Sequence, residues 1–496
     1  MKAKINIILV FQILLTLACS NESSSNDPDI PNRQLEEGWI EYTPDLITNL
    51  RNPAMGWMMY EEGWSFDRER PGNIWTPELF WEEMEKVDAP AYSNILYIRM
   101  KWNLLEPEEG KYIWIYDEKY KEYIKKAKEH GLKLAFRVFF DGGVPQYVYD
   151  AGAGRSGSQP YYDDPIFQQK FFKFLDAFAK EYNNPDLVDY VDAYGLGTWG
   201  EGHGVTLKNN TDATYKAVIE NITGAYAERF SRVLTVMNLS WNDWKFTEES
   251  VYKKGILPRR DGIGSYWFND TERKYLHQLF SEDKLAFIGE GCYWFNDSSN
   301  GSKPGYTYDF KNDKRFQMNT MEEALTVSVN DALENHSNTL DLRVPTQCKF
   351  WIEKLPGEVQ KFITNGGYRL YPARIKVDRQ GNNMLIQHSW RNYGKGMLPN
   401  NHPSWNHKYQ LTFSLLDFNK KVVYKFTDNK VEPADWLKGN SYDYTTKFTL
   451  PSQFKGKYTL CVGLTDKTKN HTPGIELSIP AEQQIDKWVK ISNIEL

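Results

Sequence analysis

The sequence has few cysteines, little excess charge and no long apolar run, and each shortage excludes a class of protein. Four of its 496 residues are cysteine, and their scattered positions form neither a disulfide framework nor a zinc spacing. The 60 basic and 66 acidic residues give a net charge of -6, which argues against a nucleic-acid-binding surface. We find no P-loop, dinucleotide glycine motif or HExxH motif, so no spacing predicts a cofactor or a metal.

Aromatic side chains, in contrast, are abundant. Trp, Tyr and Phe together make up 15% of the chain. Large aromatic rings fill hydrophobic cores, but their flat faces also suit the apolar C–H faces of sugars, and composition alone leaves both roles open. The length favours a large domain of roughly 250–350 residues followed by a second one of about 120.

The N-terminus has the pattern of a targeting segment. Lys2 and Lys4 precede an apolar stretch at 7–18, which is too short to span a membrane as a mature helix. The stretch ends Leu-Thr-Leu-Ala-Cys, which resembles the bacterial lipobox, so we expect residues 1–18 to be a signal peptide and Cys19 to be lipidated. An ordinary signal peptide with a chance cysteine is the alternative. Residues 19–40 are expected to form a flexible tether to the cell envelope, at the outer membrane or on its surface.

Apolar strand patterns alternate with helical patterns through the first large domain, at residues 41–370. The predicted helices include 116–130, 164–183, 211–230, 271–280 and 321–334. The eight predicted strands are 54–60, 94–102, 133–140, 188–196, 232–238, 262–267, 284–289 and 338–343. Such alternation implies a parallel sheet, and eight units imply a closed (β/α)8 TIM barrel.

Helical periodicity nearly disappears after the segment Gly366-Gly-Tyr-Arg369. Short alternating runs replace it, and turns rich in Asn, Gly, Lys and Pro separate them. The runs are 408–415, 421–426, 443–450 and 456–464. Residues 371–496 are therefore predicted to form an antiparallel β-sandwich.

Polar and aromatic side chains follow most of the predicted barrel strands, at the face where barrel active sites lie. Two glutamates stand out, because Glu201 follows the fourth strand and Glu290 follows the seventh. Two carboxylates across a barrel mouth can flank one glycosidic bond, with one donating a proton and the other ionised. The other residues that we expect to contact a carbohydrate substrate are Arg99, Trp102, Asp141, Trp199, His203, Asn238, Trp241, Tyr266, Trp267 and Trp294.

This layout resembles the clan A glycoside hydrolases. The segment from Trp102 to Tyr112, with Glu106-Pro107 and Gly110, is similar to a segment of clan A β-galactosidases. The resemblance implies a retaining mechanism in which Glu201 is the acid/base and Glu290 the nucleophile. Clan A enzymes usually carry Asn directly before the acid/base, whereas this chain has Gly200; His203 or Asn238 could take the place of that Asn.

A second resemblance covers most of residues 49–460. The motifs Asn52-Pro-Ala-Met-Gly56, Gly197-Thr-Trp-Gly-Glu-Gly-His203, Gly366-Gly-Tyr-Arg369 and Trp390-Arg-Asn-Tyr-Gly394 are similar to those of an uncharacterised bacterial family of barrel-plus-sandwich lipoproteins. This resemblance implies the fold more strongly than an activity.

Three functional hypotheses follow from these patterns. The first is a glycosidase that cleaves poly- or oligosaccharides with the glutamate pair, without a cofactor. The second is a non-catalytic, glycan-binding surface lipoprotein, which the missing Asn at Gly200 favours. The third is a structural assembly partner that docks through the sandwich and would expose a large apolar patch there.

Overall fold

Eight parallel strands form the sheet that carries the candidate site. The computed structural model describes residues 37–68, 70, 72–239, 246, 251–265, 267–291, 315 and 320–496. The barrel strands are β1 (Gly56–Glu61), β2 (Ser93–Lys101), β3 (Lys133–Phe139), β4 (Val188–Asp192), β5 (Leu234–Asn238), β6 (Leu257–Ile263), β7 (Ile288–Gly291) and β8 (Thr339–Arg343). They pair in the order β7-β6-β5-β4-β3-β2-β1-β8. A parallel bridge between Phe287 and Ser337 brings the two ends together, so the predicted TIM barrel is confirmed.

Helices connect the strands and cover the outside of the sheet. Within the described residues they are α1 (Pro77–Lys86), α2 (Ala89–Tyr92), α3 (Trp102–Leu105), α4 (Ile113–Tyr116), α5 (Glu118–Glu129), α6 (Gln146–Asp150), α7 (Pro165–Tyr182), α8 (Asp212–Arg229), α9 (Asp270–Ser281), α10 (Met321–Glu334), α11 (Pro345–Lys354) and α12 (Pro356–Asn365). Several start at a side chain that caps the free N–H groups of the first turn. The Asp164 carboxylate caps α7, and Asn269 and Glu272 form a capping box at α9.

Two antiparallel sheets follow the barrel. Their strands are β9 (Leu370–Gln380), β10 (Asn383–Asn392), β11 (Tyr409–Leu416), β12 (Val422–Asp428), β13 (Tyr442–Thr449), β14 (Lys457–Asp466), β15 (Thr472–Ile475), β16 (Gln484–Ile485) and β17 (Trp488–Glu495). One sheet contains β9, β10 and β13, and the other contains β11, β12, β14, β16 and β17, with β15 paired to β14. The predicted change from a parallel barrel to antiparallel sheets in the last part of the chain is thus confirmed.

The start of the described chain joins the first of these sheets. A short strand, Trp39–Glu41, pairs antiparallel with β9. Residues 39 and 40, which we predicted to belong to the tether, are therefore part of a sheet. The predicted signal peptide and Cys19 lie outside the described residues, and no helix within those residues is long and apolar enough to cross a membrane.

The barrel and the sheets that follow it are joined through buried polar contacts, and residues 38–496 form one compact unit. Arg369, from the Gly-Gly-Tyr-Arg motif, is fully buried and donates hydrogen bonds to the carbonyls of Thr48 and Ile363, both at 3.0 Å. The Asn338 amide donates to the carbonyls of Ala54 and Met397, both at 2.8 Å. These side chains therefore satisfy backbone groups that would otherwise be buried without partners.

The sixth barrel strand lies earlier than the sequence predicts. It is Leu257–Ile263, whereas the alternation pattern indicated 262–267. The strand has the sequence LPRRDGI, in which a proline and three charged residues hide the apolar pattern of a barrel strand. Its two arginines contact acidic side chains of other elements. Because the strand begins at Leu257, it includes Arg259 and Asp261, which lie at the candidate site.

Candidate active site

The two predicted glutamates lie on opposite sides of one buried arginine. Glu201 lies in the turn after β4, and Glu290 is the third residue of β7. Arg137 of β3 donates from Nη1 to Glu201 Oε1 at 2.6 Å and from Nη2 to Glu290 Oε2 at 2.5 Å. All three side chains are buried. The site therefore contains two carboxylates that are held at short range by the two branches of a single guanidinium.

Glu290 forms ion pairs with three arginines. Besides Arg137, the Arg259 side chain of β6 contacts Glu290 Oε2, and Arg343 Nη2 donates to Oε1 at 3.0 Å. Arg343 also pairs with Asp341, between Nε and Oδ2 at 2.9 Å. Glu290 is thus held as an anion in one orientation by donors from three different strands.

Arg99 of β2 lies farther from the pair. Its Nη1 is 3.9 Å from Glu201 Oε1, and its Nη2 is 3.5 Å from Glu62 Oε2. Glu62 is in turn 3.6 Å from Arg343. The structure therefore places Arg99, which we expected to contact substrate, between Glu201 and Glu62.

The environment of Glu201 differs from that of Glu290. Its second oxygen, Oε2, faces His203, with 4.0 Å between Oε2 and Nε2. Burial, and after it the negative charge of Asp261, raise the pKa of Glu201 well above its usual range, although Arg137 opposes them. Burial opposes the ionisation of Asp261, but Arg260 and His203 outweigh it and lower the pKa of Asp261. A carboxyl that holds its proton beside one that is ion-paired is the asymmetry that acid/base chemistry needs.

Asp192, at the end of β4, lies beneath this pair. Its Oδ2 is 3.4 Å from Arg137 Nε and 3.5 Å from Arg259 Nε. Burial raises the pKa of this fully enclosed carboxyl to about 7, with Arg137 acting in the opposite direction. Asp192 is therefore a support for the two arginines that hold Glu290, and it does not reach the surface.

A tight turn at 197–204 presents Glu201. The Thr198 N–H donates to the His203 carbonyl at 2.8 Å, and the Gly202 N–H donates to the Leu196 carbonyl at 2.8 Å. Gly200 has φ +75°, and a Cβ there would lie 2.9 Å from Phe139 Cβ. Glycine is required here because the turn needs both a positive φ and close contact with β3. The Asn that clan A enzymes usually carry at this position has no room.

Trp199 is held in the same turn in an unusual conformation. Its φ is +57°, a left-handed value that is strained for a tryptophan. Its carbonyl accepts a hydrogen bond from Arg137 at 3.2 Å, while 45% of the residue is exposed. The turn thus directs a large aromatic ring into solvent two residues before Glu201.

Glu201, His203 and Asp261 also form the group best suited to a metal ion among the described residues. One ligand atom from each lies within 4.8 Å of the others. Two carboxylates and an imidazole are a ligand set that divalent transition metals accept. Arg137 contacts Glu201 and Arg260 contacts Asp261, so two of these three side chains already have a cationic partner.

The remaining predicted substrate contacts fall into three groups, which are buried, partly exposed or outside the described residues. Trp102 is fully buried and donates to Glu106 at 2.9 Å, and Asn238 is buried beneath Glu201, donating to its carbonyl at 3.1 Å. Asp141 and Trp267 are partly exposed; Asp141 accepts from Ser158 at 2.5 Å. Trp241, Tyr266 and Trp294 lie outside the described residues. Substrate contact by each of these residues stays a prediction.

Sequence reasoning missed most of the charges around the glutamates. Arg259 and Asp261 were hidden by the displaced sixth strand, and Glu62 and Asp192 lie at strand ends in segments that read as ordinary core. The useful signal is charge inside apolar strands, because a buried arginine is rare unless carboxylates surround it. Arginines within barrel strands therefore indicate a matching set of acids.

Comparisons with known proteins give limited similarity. No family model matches the chain. A β-galactosidase of Xanthomonas manihotis is 22% identical over 214 residues, which cover 38% of this chain and only about a third, 34%, of that protein. Among solved structures, endo-glycoceramidase II from Rhodococcus sp. covers 82% of this chain and 100% of its own, at 10% identity and a TM-score of 0.40. A β-galactosidase from Rahnella sp. R3 covers 61% and 52%, at 12% identity and a TM-score of 0.39.

Proposed function

We propose that the chain is a retaining glycoside hydrolase that acts on poly- or oligosaccharides. The observation that carries the proposal is the shared guanidinium of Arg137, which holds Glu201 and Glu290 at the carboxyl ends of β4 and β7. Two carboxylates that bind one guanidinium are close enough to flank one glycosidic bond, and a retaining mechanism uses one of them for direct attack on the sugar. The partial match to a β-galactosidase is consistent with this class.

The different surroundings of the two carboxylates assign their roles. Glu290, in three ion pairs, is the anion that attacks the anomeric carbon while the bond to the leaving oxygen breaks. Glu201 holds a proton and donates it to that oxygen. In the second half, the Glu201 carboxylate takes a proton from water, the resulting oxygen attacks the anomeric carbon, and the Glu290 carboxylate leaves. Glu201 ends protonated and Glu290 ends ionised, as both were before the reaction.

A specific observation favours the alternative, a glycan-binding protein that does not cleave. Glu290 Oε2 accepts from both Arg137 and Arg259, and Oε1 accepts from Arg343. Three donors reduce the electron density available for attack on carbon. Under this alternative the charge cluster is a structural element of the barrel, and the exposed rim captures a sugar chain.

A hydrolysis assay with purified protein that lacks residues 1–19 distinguishes a glycoside hydrolase from a glycan-binding protein that does not cleave. The substrates are a panel of aryl glycosides and of plant and host polysaccharides. Glu201→Gln and Glu290→Gln remove one carboxylate each, and Glu353→Gln on the exposed surface of α11 is the matched control. We expect the control to cleave at the wild-type rate and both active-site variants to lose activity. Glycan binding without turnover by the wild type would support capture instead.

We also propose that the chain is anchored to the cell envelope through Cys19. The support is the lipobox-like segment before that residue. Metabolic labelling of the full chain with a fatty-acid analogue tests this, because Cys19→Ser would abolish labelling of a lipoprotein. Labelling that persists in Cys19→Ser would contradict it.

A further inference from the structure

The Trp199 ring is the feature of the site that the chemistry of the two carboxylates does not explain. Within the described residues, the largest fully buried side chains include Trp57, Trp81, Trp102, Trp351, Trp390 and Trp436, whereas Trp199 is 45% exposed. An exposed indole leaves a large apolar surface in water. Its backbone is also strained, at φ +57°. A tryptophan that is both strained and exposed beside a candidate acid points to a ligand that covers it.

The order of the groups shows which side of the site the ring occupies. Arg137 contacts Glu290 through Nη2 and Glu201 Oε1 through Nη1. The other oxygen of Glu201 faces His203 at 4.0 Å. The His203 ring lies 6.5 Å from the Trp199 ring, with the two planes at 83°. Glu201 thus faces Arg137 through one oxygen and His203 through the other, and the Trp199 ring lies next to His203, so we infer that both rings lie on the side of Glu201 away from Glu290.

The side on which a group lies determines which part of the substrate it contacts. In a retaining mechanism the anomeric carbon meets the nucleophile and the leaving oxygen meets the acid. The groups beyond the acid therefore contact the leaving group, and the groups around the nucleophile contact the sugar that becomes attached. Trp199 and the half-exposed His203 lie on the leaving-group side.

We propose that Trp199 is a stacking platform for a sugar residue in the leaving-group position, so that the substrate is an oligo- or polysaccharide and not the glycoside of a small alcohol. This inference rests on the proposed function for the assignment of the two sides. A flat indole face buries the C–H face of a pyranose ring, and the edge-on imidazole of His203 offers a hydrogen bond to a ring hydroxyl. The platform adds affinity only for ligands that are long enough to reach past Glu201.

Binding can be measured without turnover in a Glu201→Gln background. The probes are cello-, manno-, xylo-, malto- and β-1,4-galacto-oligosaccharides of one to four residues, with octyl glucoside as an apolar leaving group, and titration calorimetry gives Kd. The variants added to Glu201→Gln are Trp199→Gly, Trp199→Phe and the control Trp39→Ala, which removes a half-buried tryptophan of the first antiparallel sheet. Trp199→Gly relieves the strain at this position, because glycine adopts a positive φ freely, and denaturant unfolding of each variant checks that the fold is kept.

We expect Trp199→Gly to raise the Kd of the best-bound oligosaccharide about tenfold, which corresponds to about 1.4 kcal/mol. The Kd for monosaccharides should be unchanged. Trp199→Phe should raise the oligosaccharide Kd by less than Trp199→Gly does, and Trp39→Ala should leave it at the parent value. The proposal would be overturned if Trp199→Gly lost the same affinity for ligands of every length, or if its oligosaccharide binding were unchanged. It would also be overturned if the parent bound only octyl glucoside or bound no oligosaccharide at all. Ring-dependent oligosaccharide binding in a protein whose wild type cleaves nothing would support the platform and contradict the proposed hydrolysis.

Discussion

Glu201 and Glu290 accept hydrogen bonds from the two terminal nitrogens of the same guanidinium, at 2.6 and 2.5 Å. Glu201 lies in the turn after β4, Glu290 lies in β7, and Arg137 comes from β3. The positions of the two candidate catalytic groups therefore depend on one side chain at the centre of the barrel. A change at this side chain should affect the site and the fold together.

Replacing Arg137 with Met should therefore reduce both activity and stability. The variant leaves two buried carboxylates without their shared partner, which should lower the unfolding free energy by about 3 kcal/mol. Loss of positioning should lower kcat by at least about 100-fold. Denaturant unfolding and steady-state kinetics measure the two effects. Arg229→Met, which removes a surface pair with Asp176, should cost about 0.5 kcal/mol. A wild-type kcat in Arg137→Met would show that the shared contact is not needed.

Placing an asparagine at position 200, as in clan A enzymes, should destabilise the protein and lower its activity. In Gly200→Asn the new Cβ would lie 2.9 Å from Phe139 Cβ, at a φ of +75°. We expect a loss of about 2 kcal/mol in stability and a lower kcat, because the turn that carries Glu201 must shift. Gly204→Asn is the matched control, since Gly204 also has a positive φ but a Cβ there would meet nothing within 4 Å. Higher activity in Gly200→Asn would mean that the turn has room for the usual residue.

The pH dependence of activity should respond to Asp261. Its negative charge helps to raise the pKa of Glu201, so the acid should remain protonated at higher pH than an ordinary glutamate. Asp261→Asn removes that charge and should lower the pKa of Glu201. The alkaline decline of kcat/KM, which reports on the free enzyme, should then move to lower pH. Asp176→Asn, an exposed change, should leave the profile in place. A decline that does not move would exclude Glu201 as the group that titrates there.

Stability should fall as pH rises, because of Asp192. Burial raises its folded-state pKa to about 7, above the value of about 3.9 in an unfolded chain. A raised folded-state pKa gives stability that is fully present below the unfolded value and is lost as pH rises through the folded value. Between pH 5 and pH 8 this loss should be about 2.5 kcal/mol. Chemical unfolding at several pH values should show a shallower dependence in Asp192→Asn than in wild type or Asp176→Asn; identical slopes would contradict this role.

The sequence predicts the barrel well and the charges of the site only in part. Strands such as β2 and β3 have long apolar runs, and these runs alone identify them. The strand β6 breaks the apolar rule, because Arg259 and Arg260 are satisfied by acids from other elements. Such partnerships depend on tertiary contacts that no local pattern shows. Glu201 and Glu290 were found because each stands among glycines at a strand end, whereas Asp192 gave no such signal.

The turn at Trp199 illustrates the same limit. Its glycines predict close backbone approach, and the structure places the turn against β3. The sequence alone does not show that the tryptophan between them adopts a positive φ. That conformation follows from the hydrogen bonds of Thr198 and Gly202, which close the turn around it.

The stereochemistry of the first product distinguishes direct attack by Glu290 from attack by water. Proton NMR during the first minutes of hydrolysis, on whichever glycoside the wild type cleaves, resolves the anomeric configuration before mutarotation. Direct attack by Glu290, with Glu201 as acid/base, predicts a product with the same configuration as the substrate. A product of inverted configuration would contradict the proposed mechanism, because it would require a water molecule to attack the anomeric carbon in the place assigned to Glu290.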